Sequence, residues 1–262
     1  MKHRLAAAAA AIAAIVMTSL TACGGEEGAQ GPAPDPPDVI VAAASSLTSA
    51  FTTYADRYLG GEVRYSFAGS DELAAQIRQG VTPDVYAAAN TALPDALHEE
   101  GLVEEPVVFA ANQLVIAVPA EGGSVHSLAD LERPGVTIAI GSESVPIGSY
   151  TREVLSRLSP AREQAILANV RSNEPDVKGI VGKLTQGAVD AGLVYLTDVR
   201  AAGKQLGTIL LPSGLRPEVA YAAAVVEGAP HRAQARRFIA GLLHGRGLRA
   251  MRAAGFELPP EE

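Results

Sequence analysis

The chain carries two hydrophobic rhythms in alternation. Val39-Ile40-Val41 followed by Ala42-Ala43-Ala44 is a short unbroken apolar run, the pattern of a buried strand with little room beside it. Ser45 and Ser46 end that run. Leu47, Phe51, Tyr54, Ala55 and Tyr58 then recur at helical spacing until Gly60-Gly61 stops them. The device returns at once: 62–67 alternates as a strand, Ala68-Gly69-Ser70 turns the chain, and Asp71 to Gln79 predicts a helix with Leu73, Ala74 and Ile77 on one face. Further strands are predicted at 84–89, 107–109, 114–118, 136–140, 191–195, 208–211 and 219–226. Helices are predicted at 92–100, in a short piece at 128–132, and at about 149–158. Another runs from an Asp176 N-cap through Val177, Ile180, Val181 and Leu184, and 232–252 reads as one amphipathic helix or a pair. Pro146 suits the first turn of its helix.

Strands that alternate with helices predict an α/β fold with mostly parallel sheets. Ligands of such sheets bind beyond the carboxyl ends of the strands. Ser46, Ser70, the Ile147 region, Asp176-Val177 and Tyr195 all fall at strand ends or helix starts. A strand that ends in serine and opens a helix aims a hydroxyl and free backbone N–H groups at one spot, and such a spot suits an anion. A single serine there is more often simply a helix cap. The repetition is what points to a small-anion site.

Composition narrows the function. The 262 residues, 48% hydrophobic, suffice for one large or two medium domains, with a core of Ala, Val, Leu and Ile because Trp is absent and aromatic residues are few. The formal charge is -8, which argues against a nucleic-acid partner and requires any bound anion to be held locally, against the overall field. The lone cysteine, Cys23, excludes an internal disulfide and a multi-cysteine zinc site, and the five histidines are scattered without metal-ligand spacing. No bare metal cation or cofactor is expected. A serine hydrolase is disfavoured: there is no Gly-x-Ser-x-Gly elbow, and no histidine lies close in sequence to Ser46 or Ser70. The stretch Gly179 to Leu184 has the wrong spacing for a phosphate loop, with Leu184 where Ser or Thr is needed. An enzyme is therefore not expected.

Residues 1–22 have a basic start, an apolar run from Leu5 to Val16 and a small-residue end, the parts of a secretory signal peptide. Leu20-Thr21-Ala22-Cys23 resembles the lipobox of bacterial lipoproteins, which implies cleavage before Cys23 and lipid on its sulfur. With Lys2 and Arg4 removed, 19 basic residues face 29 acidic ones, about -10. Residues 24–37 (GGEEGAQGPAPDPP) hold no large apolar side chain and read as a flexible tether, so 23–37 is taken as anchor and tether.

Seven segments in order, AAASSLTSAF, FAGSDELAAQI, PDVYAAAN, GSESVPIGSY, NEPDVKGIVGKL, AGLVYLTDV and YAAAVVEG, resemble the molybdate-binding proteins of bacterial ABC importers. The resemblance covers about Asp38 to Phe256. It implies a two-lobed type II periplasmic-binding-protein fold with the ligand in the interlobe cleft, lobe 1 being 38–116 plus 221–262 and lobe 2 being 117–220. It implies a monomer that captures molybdate, and with it tungstate, through neutral donors and delivers it to an ABC permease and ATPase. The protein would be exported and held at the outer face of the cytoplasmic membrane. Carried over motif by motif, the oxyanion ligands are the hydroxyls of Ser46, Ser70 and Tyr195 and the backbone N–H groups of Ile147 and Val177. Another tetrahedral oxyanion such as sulfate is the alternative ligand.

This chain departs from the family pattern at several positions. Ser45-Ser46 stands where Ala-Ser is usual, so Ser45 is a second candidate ligand. Ile147 replaces a small residue, which bears on pocket size. Ala222 stands where the hinge strand often has Pro. Asp71 and Glu72 would repel an anion if they faced it, and are expected to face solvent beside their helix start.

Overall fold

The computed structural model describes residues 38–259 apart from Gly122; the leader, Cys23 and the tether lie outside the described residues. The chain opens with β1 (Val39–Ala44), a 3-10 turn at Ser45–Leu47, α1 (Thr48–Ala55), β2 (Val63–Ala68), α2 (Ser70–Arg78), β3 (Val85–Ala88), α3 (Ala92–Glu99) and β4 (Val107–Asn112). It then builds β5 (Leu114–Pro119), a 3-10 turn at Leu128–Glu132, β6 (Ile138–Gly141), α4 (Pro146–Ser156), α5 (Pro160–Ala168), β7 (Val170–Glu174) and α6 (Val177–Thr185). After β8 (Ala191–Tyr195), α7 (Leu196–Ala202) and β9 (Leu206–Leu210) it returns through β10 (Val219–Val225) to α8 (Arg232–Leu243) and α9 (Gly245–Ala254).

Two five-stranded sheets result, ordered β2-β1-β3-β10-β4 and β7-β6-β8-β5-β9. The orders correspond strand for strand, so each lobe repeats one plan. In the first, β1 lies parallel to β2 and β3, while β10 runs against both β3 and β4. In the second, β6 lies parallel to β7 and β8, while β5 runs against both β8 and β9. Four strands of each sheet therefore share one direction, and the reversed strand is the one that arrives from the other lobe. The chain changes sheet at Gln113 and again between β9 and β10. Leu114–Ile116 thus lie in the second sheet and Val219–Ala220 in the first, which corrects the expected lobe limits of 116 and 221. A strand pairs along its whole length, so the break falls at the bend between strands and not within one.

Each lobe pins its central strands with a carboxylate. Buried Asp84, just before β3, accepts the Ile40 and His231 N–H groups at 2.8 and 2.9 Å. Asp190, just before β8, accepts the Thr137 N–H and hydroxyl, both at 2.7 Å. These ties hold β1 against β3 and β6 against β8, and so fix which strand ends stand side by side. Alanines fill the middle of the first sheet, Ala43, Ala87, Ala88 and Ala223 being fully buried. The few aromatic residues gather behind them, with Phe51 against Tyr65, Phe109 and Phe238 at centroid distances of 5.9, 6.1 and 5.5 Å. Among the described residues, no helix is long and apolar enough to cross a membrane.

Candidate functional site

The parallel strands of both lobes end at one cleft. Ala44, Ser45, Ser46, Ala68, Gly69, Ser70 and Ala89 line it from the first lobe. Val145, Pro146, Ile147, Asp176, Val177 and Tyr195 line it from the second. The cleft is about 220 Å³ with its mouth included, below the roughly 300–1,000 Å³ of pockets for drug-sized ligands, so it suits a small solute. All the candidate residues, Ser45 among them, meet in this one space, although Ser46 and Tyr195 are far apart in sequence.

Each wall owes its donors to local chemistry. Ser46 lies in the 3-10 turn that continues β1, and Ser70 opens α2 behind Gly69. Ser70 Oγ accepts the Ala89 N–H at 3.1 Å, and its own carbonyl accepts the Tyr86 hydroxyl at 2.7 Å. One lone pair of the hydroxyl is thereby filled, which favours its proton pointing at the cleft. On the far side Pro146 takes the first position of α4 and has no N–H, so Ile147 offers the first free donor of that helix. Asp176 caps α6, as its sequence position predicts: Oδ1 accepts Lys178 N–H at 2.6 Å and Gly179 N–H at 3.2 Å. The cap leaves Val177 N–H as the donor at that helix start. Tyr195 ends β8, wholly buried, and its hydroxyl finds no partner among the described residues. Burial pushes its pKa well above the ordinary tyrosine value, with the nearby Tyr221, Tyr150 and Asp198 adding to the rise. An un-ionised, unpartnered O–H inside the cleft is a donor in want of an acceptor.

Among the described residues, no lysine, arginine or histidine lines the cleft. Three helix starts, those of α2, α4 and α6, supply the favourable field instead. The one carboxylate there, Asp176, is occupied by its own helix. Ile147 lines the cleft, and part of its bulk is accommodated behind it. Its Cγ2 lies 2.6 Å from where a Cβ would stand on Gly141, so a glycine makes room for it. Glu72 is exposed as expected, whereas Asp71 is not merely turned to solvent: its Oδ2 accepts the Ser144 hydroxyl at 2.8 Å, a tie between the lobes. Backbone meets backbone nearby, because a Cβ on Gly69 would stand 2.6 Å from the Pro175 carbonyl oxygen. Sequence reasoning gave no role to Ala89, Gly69, Asn112 or Tyr221. Only the glycine before Ser70 carried a signal, since a residue without Cβ marks close backbone approach.

Asp198, behind Tyr195, is buried, with Oδ1 accepting Lys178 Nζ at 3.0 Å and Oδ2 unpartnered among the described residues. Burial pushes its pKa up from the ordinary 3.8 to about 6; Lys178 opposes the rise and Asp176 adds to it. The folded state then holds this proton more firmly than the unfolded chain, so the contribution to stability falls as pH rises from about 4 to 6. Asp198→Asn is expected to remove that part of the slope, as read by denaturant unfolding of the ligand-free protein across this window. Parallel curves for the two proteins would contradict the assignment.

A model of the bacterial extracellular solute-binding protein family matches residues 39–257. The chain belongs to that family. This solute-binding protein is 35% identical over 247 residues to the molybdate-binding protein ModA of Mycobacterium tuberculosis, covering 91% of this chain and 92% of that one. Its fold matches the periplasmic molybdate-binding protein of Azotobacter vinelandii with a TM-score of 0.76 at 22% identity, over 85% of this chain and 100% of that one. It also matches the sulfate-binding protein SubI of Mycobacterium tuberculosis, with a TM-score of 0.74 at 16% identity, over 84% of this chain and 86% of that one. The solute-binding protein is thus a carrier and not an enzyme. The two structural likenesses establish the two-lobed fold, and because proteins named for different oxyanions share it, the fold does not select the anion.

Proposed function

We propose that this protein captures molybdate in the interlobe cleft and passes it to an ABC importer, with tungstate bound comparably. The observation that carries the reading is a small cleft that, apart from the helix-capping Asp176, presents donors without positive charge: Ser46, Ser70 and Tyr195 hydroxyls and the Ile147 and Val177 N–H groups. Ser45 stands beside them as a further hydroxyl. The likeness to ModA over nearly the whole chain supports molybdate as the anion. Desolvated N–H and O–H groups make charge-assisted hydrogen bonds to a dianion, so no lysine or arginine is needed. Hydrogen phosphate brings a proton that would face another donor and leave both unpaired, a costly mismatch. Sulfate carries no proton and is smaller, so its rejection rests on cavity size. Tungstate has nearly the size and charge of molybdate.

Delivery would take place outside the cytoplasm. The leader and the Cys23 motif support an anchored lipoprotein, with residues 24–37 as tether and an importer's permease and ATPase as partners. The test of the ligand is isothermal titration of residues 38–262 with molybdate, tungstate, sulfate and phosphate in turn. Tight one-to-one binding of the first two alone is the expected result. Sulfate binding best would keep the donor cage but assign it to the smaller anion, and no binding of any of the four would overturn the reading.

A further inference from the structure

Ser46 is held from behind by a chain of hydrogen bonds with one direction. Asn112, the last residue of β4, stands where the chain leaves the first sheet, and its Oδ1 accepts the Gln113 N–H at 2.8 Å. That bond fixes the amide, so both Nδ2 hydrogens point the other way. One goes to Thr197 Oγ1 in the second lobe at 2.9 Å, and the other to the Tyr221 hydroxyl oxygen at 3.4 Å. With that donor already on its oxygen, Tyr221 sends its own hydrogen to Ser46 Oγ at 3.1 Å. The Tyr195 ring meets Tyr221 edge-on at 5.7 Å, and its hydroxyl has no partner at full hydrogen-bond geometry among the described residues. Burial, reinforced by Asp198, holds the Tyr221 pKa well above the ordinary value, so the hydrogen is always present.

The backbone is shaped for this reach. The pairing of β10 with β4 shifts register between Tyr221 and Ala222, the kind of irregularity that re-aims a side chain beside a site. The ring itself is fully buried and packs on Phe109 and Phe256 at 6.3 and 5.3 Å.

We infer that Asn112 and Tyr221 are positioning residues that set the Ser46 hydroxyl as a donor into the cleft, and that this orientation is part of how the site refuses anions carrying a proton. The inference rests on the oxyanion reading above. With the Tyr221 hydrogen on Ser46 Oγ, one lone pair of the serine is filled and its own proton is directed at the ligand. Without that hydrogen the serine can turn and accept. Hydrogen phosphate, which needs an acceptor, would then lose its disadvantage, while molybdate, which needs only donors, would lose an aligned one.

The test is a double-mutant cycle in the full chain, read by titration with molybdate and with inorganic phosphate. Tyr221→Phe removes one oxygen and leaves the ring contacts in place. It is expected to weaken molybdate roughly tenfold, the scale of one hydrogen bond. The molybdate-to-phosphate affinity ratio is expected to narrow by at least the same factor. In a Ser46→Ala background the same change is expected to do nothing more, because the group it acts through is gone. Equal losses in both backgrounds, or an unchanged ratio, would overturn the relay while leaving the molybdate reading intact. A wild-type protein that binds neither molybdate nor phosphate would overturn both.

Discussion

Replacing Ser46 and Ser70 together by alanine is expected to lower oxyanion affinity by about a hundredfold or more. A hydrogen bond to a charged group contributes roughly 1.5–3 kcal/mol, and 1.4 kcal/mol is a factor of ten, so two lost donors lie between about two and four decades. The singles are expected to lose about ten- to a hundredfold each on the same scale. The two serines differ in what they leave behind. Ser70→Ala strands the Ala89 N–H, which the Ser70 hydroxyl now satisfies. A buried donor without a partner costs about 1–3 kcal/mol, so this variant is also expected to melt earlier without ligand. Ser46→Ala strands the Tyr221 hydroxyl instead, which keeps its Asn112 donor but loses its acceptor. Titration at fixed ionic strength, with thermal unfolding of the ligand-free proteins beside it, separates binding from folding. Unchanged affinity in both single variants would place the anion elsewhere.

Much of this arrangement is written locally and could be read before any coordinates. An apolar run that stops at a serine and restarts at helical spacing reads as a strand feeding a helix, and β1 with Ser46 stands where that pattern put it, as do the alternating β2 before Ser70 and the apolar β8 ending on Tyr195. The Asp176 cap and the Pro146 helix start are equally local, for both act within one turn of themselves. Two elements had weaker signals. Helix α5 shows little separation of apolar from polar faces, and Ile166 is its only buried residue. Its surviving clue is Pro160 at the first position, with Glu163 in the first turn. Helix α7, only seven residues long, follows Tyr195 without a cap side chain to announce it.

What the pattern could not carry is contact across long separations. Tyr221 touches Ser46 across 175 positions, and Asn112 touches Thr197 across 85. Each reads, on its own strand, as one more half-hidden polar residue. Asp71 shows the same limit. Its place in the first turn of α2 predicts an interaction with the helix start, yet folding brings Ser144 to it from the opposite lobe. The lobe limits shifted for a related reason, since hydrophobicity is continuous through Leu114–Ile116 and only pairing with β8 and β9 assigns those residues to the second sheet.

Gly69→Ala is expected to weaken oxyanion binding by at least about tenfold while leaving the ligand-free protein as stable as before. Gly69 caps α2 with φ -61° and ψ 139°, a conformation open to any L residue, so alanine brings no backbone strain in its own lobe. The cost lies across the cleft, where the new Cβ would stand 2.6 Å from the Pro175 carbonyl oxygen. That oxygen is backbone and cannot swing aside as a side chain can. The second neighbour, Asp71 Oδ1 at 2.9 Å, belongs to a side chain and can move, at some expense to the Ser144 tie. The lobes must therefore stand further apart, and the Ile147 and Val177 N–H groups are drawn away from the Ser46 and Ser70 hydroxyls. A tenfold loss corresponds to raising the closed arrangement by about 1.4 kcal/mol relative to a parted one, a modest demand for a clash of this size. Gly148 is no substitute as a probe, because its added Cβ would stand 1.7 Å from the Ser142 carbonyl oxygen within the second lobe and would deform the lobe itself. Small-angle scattering with and without saturating molybdate gives the decisive comparison. Ligand is expected to compact the wild type more than the variant, and equal compaction with equal affinity would show that the two backbones need not approach this closely for the anion to be held.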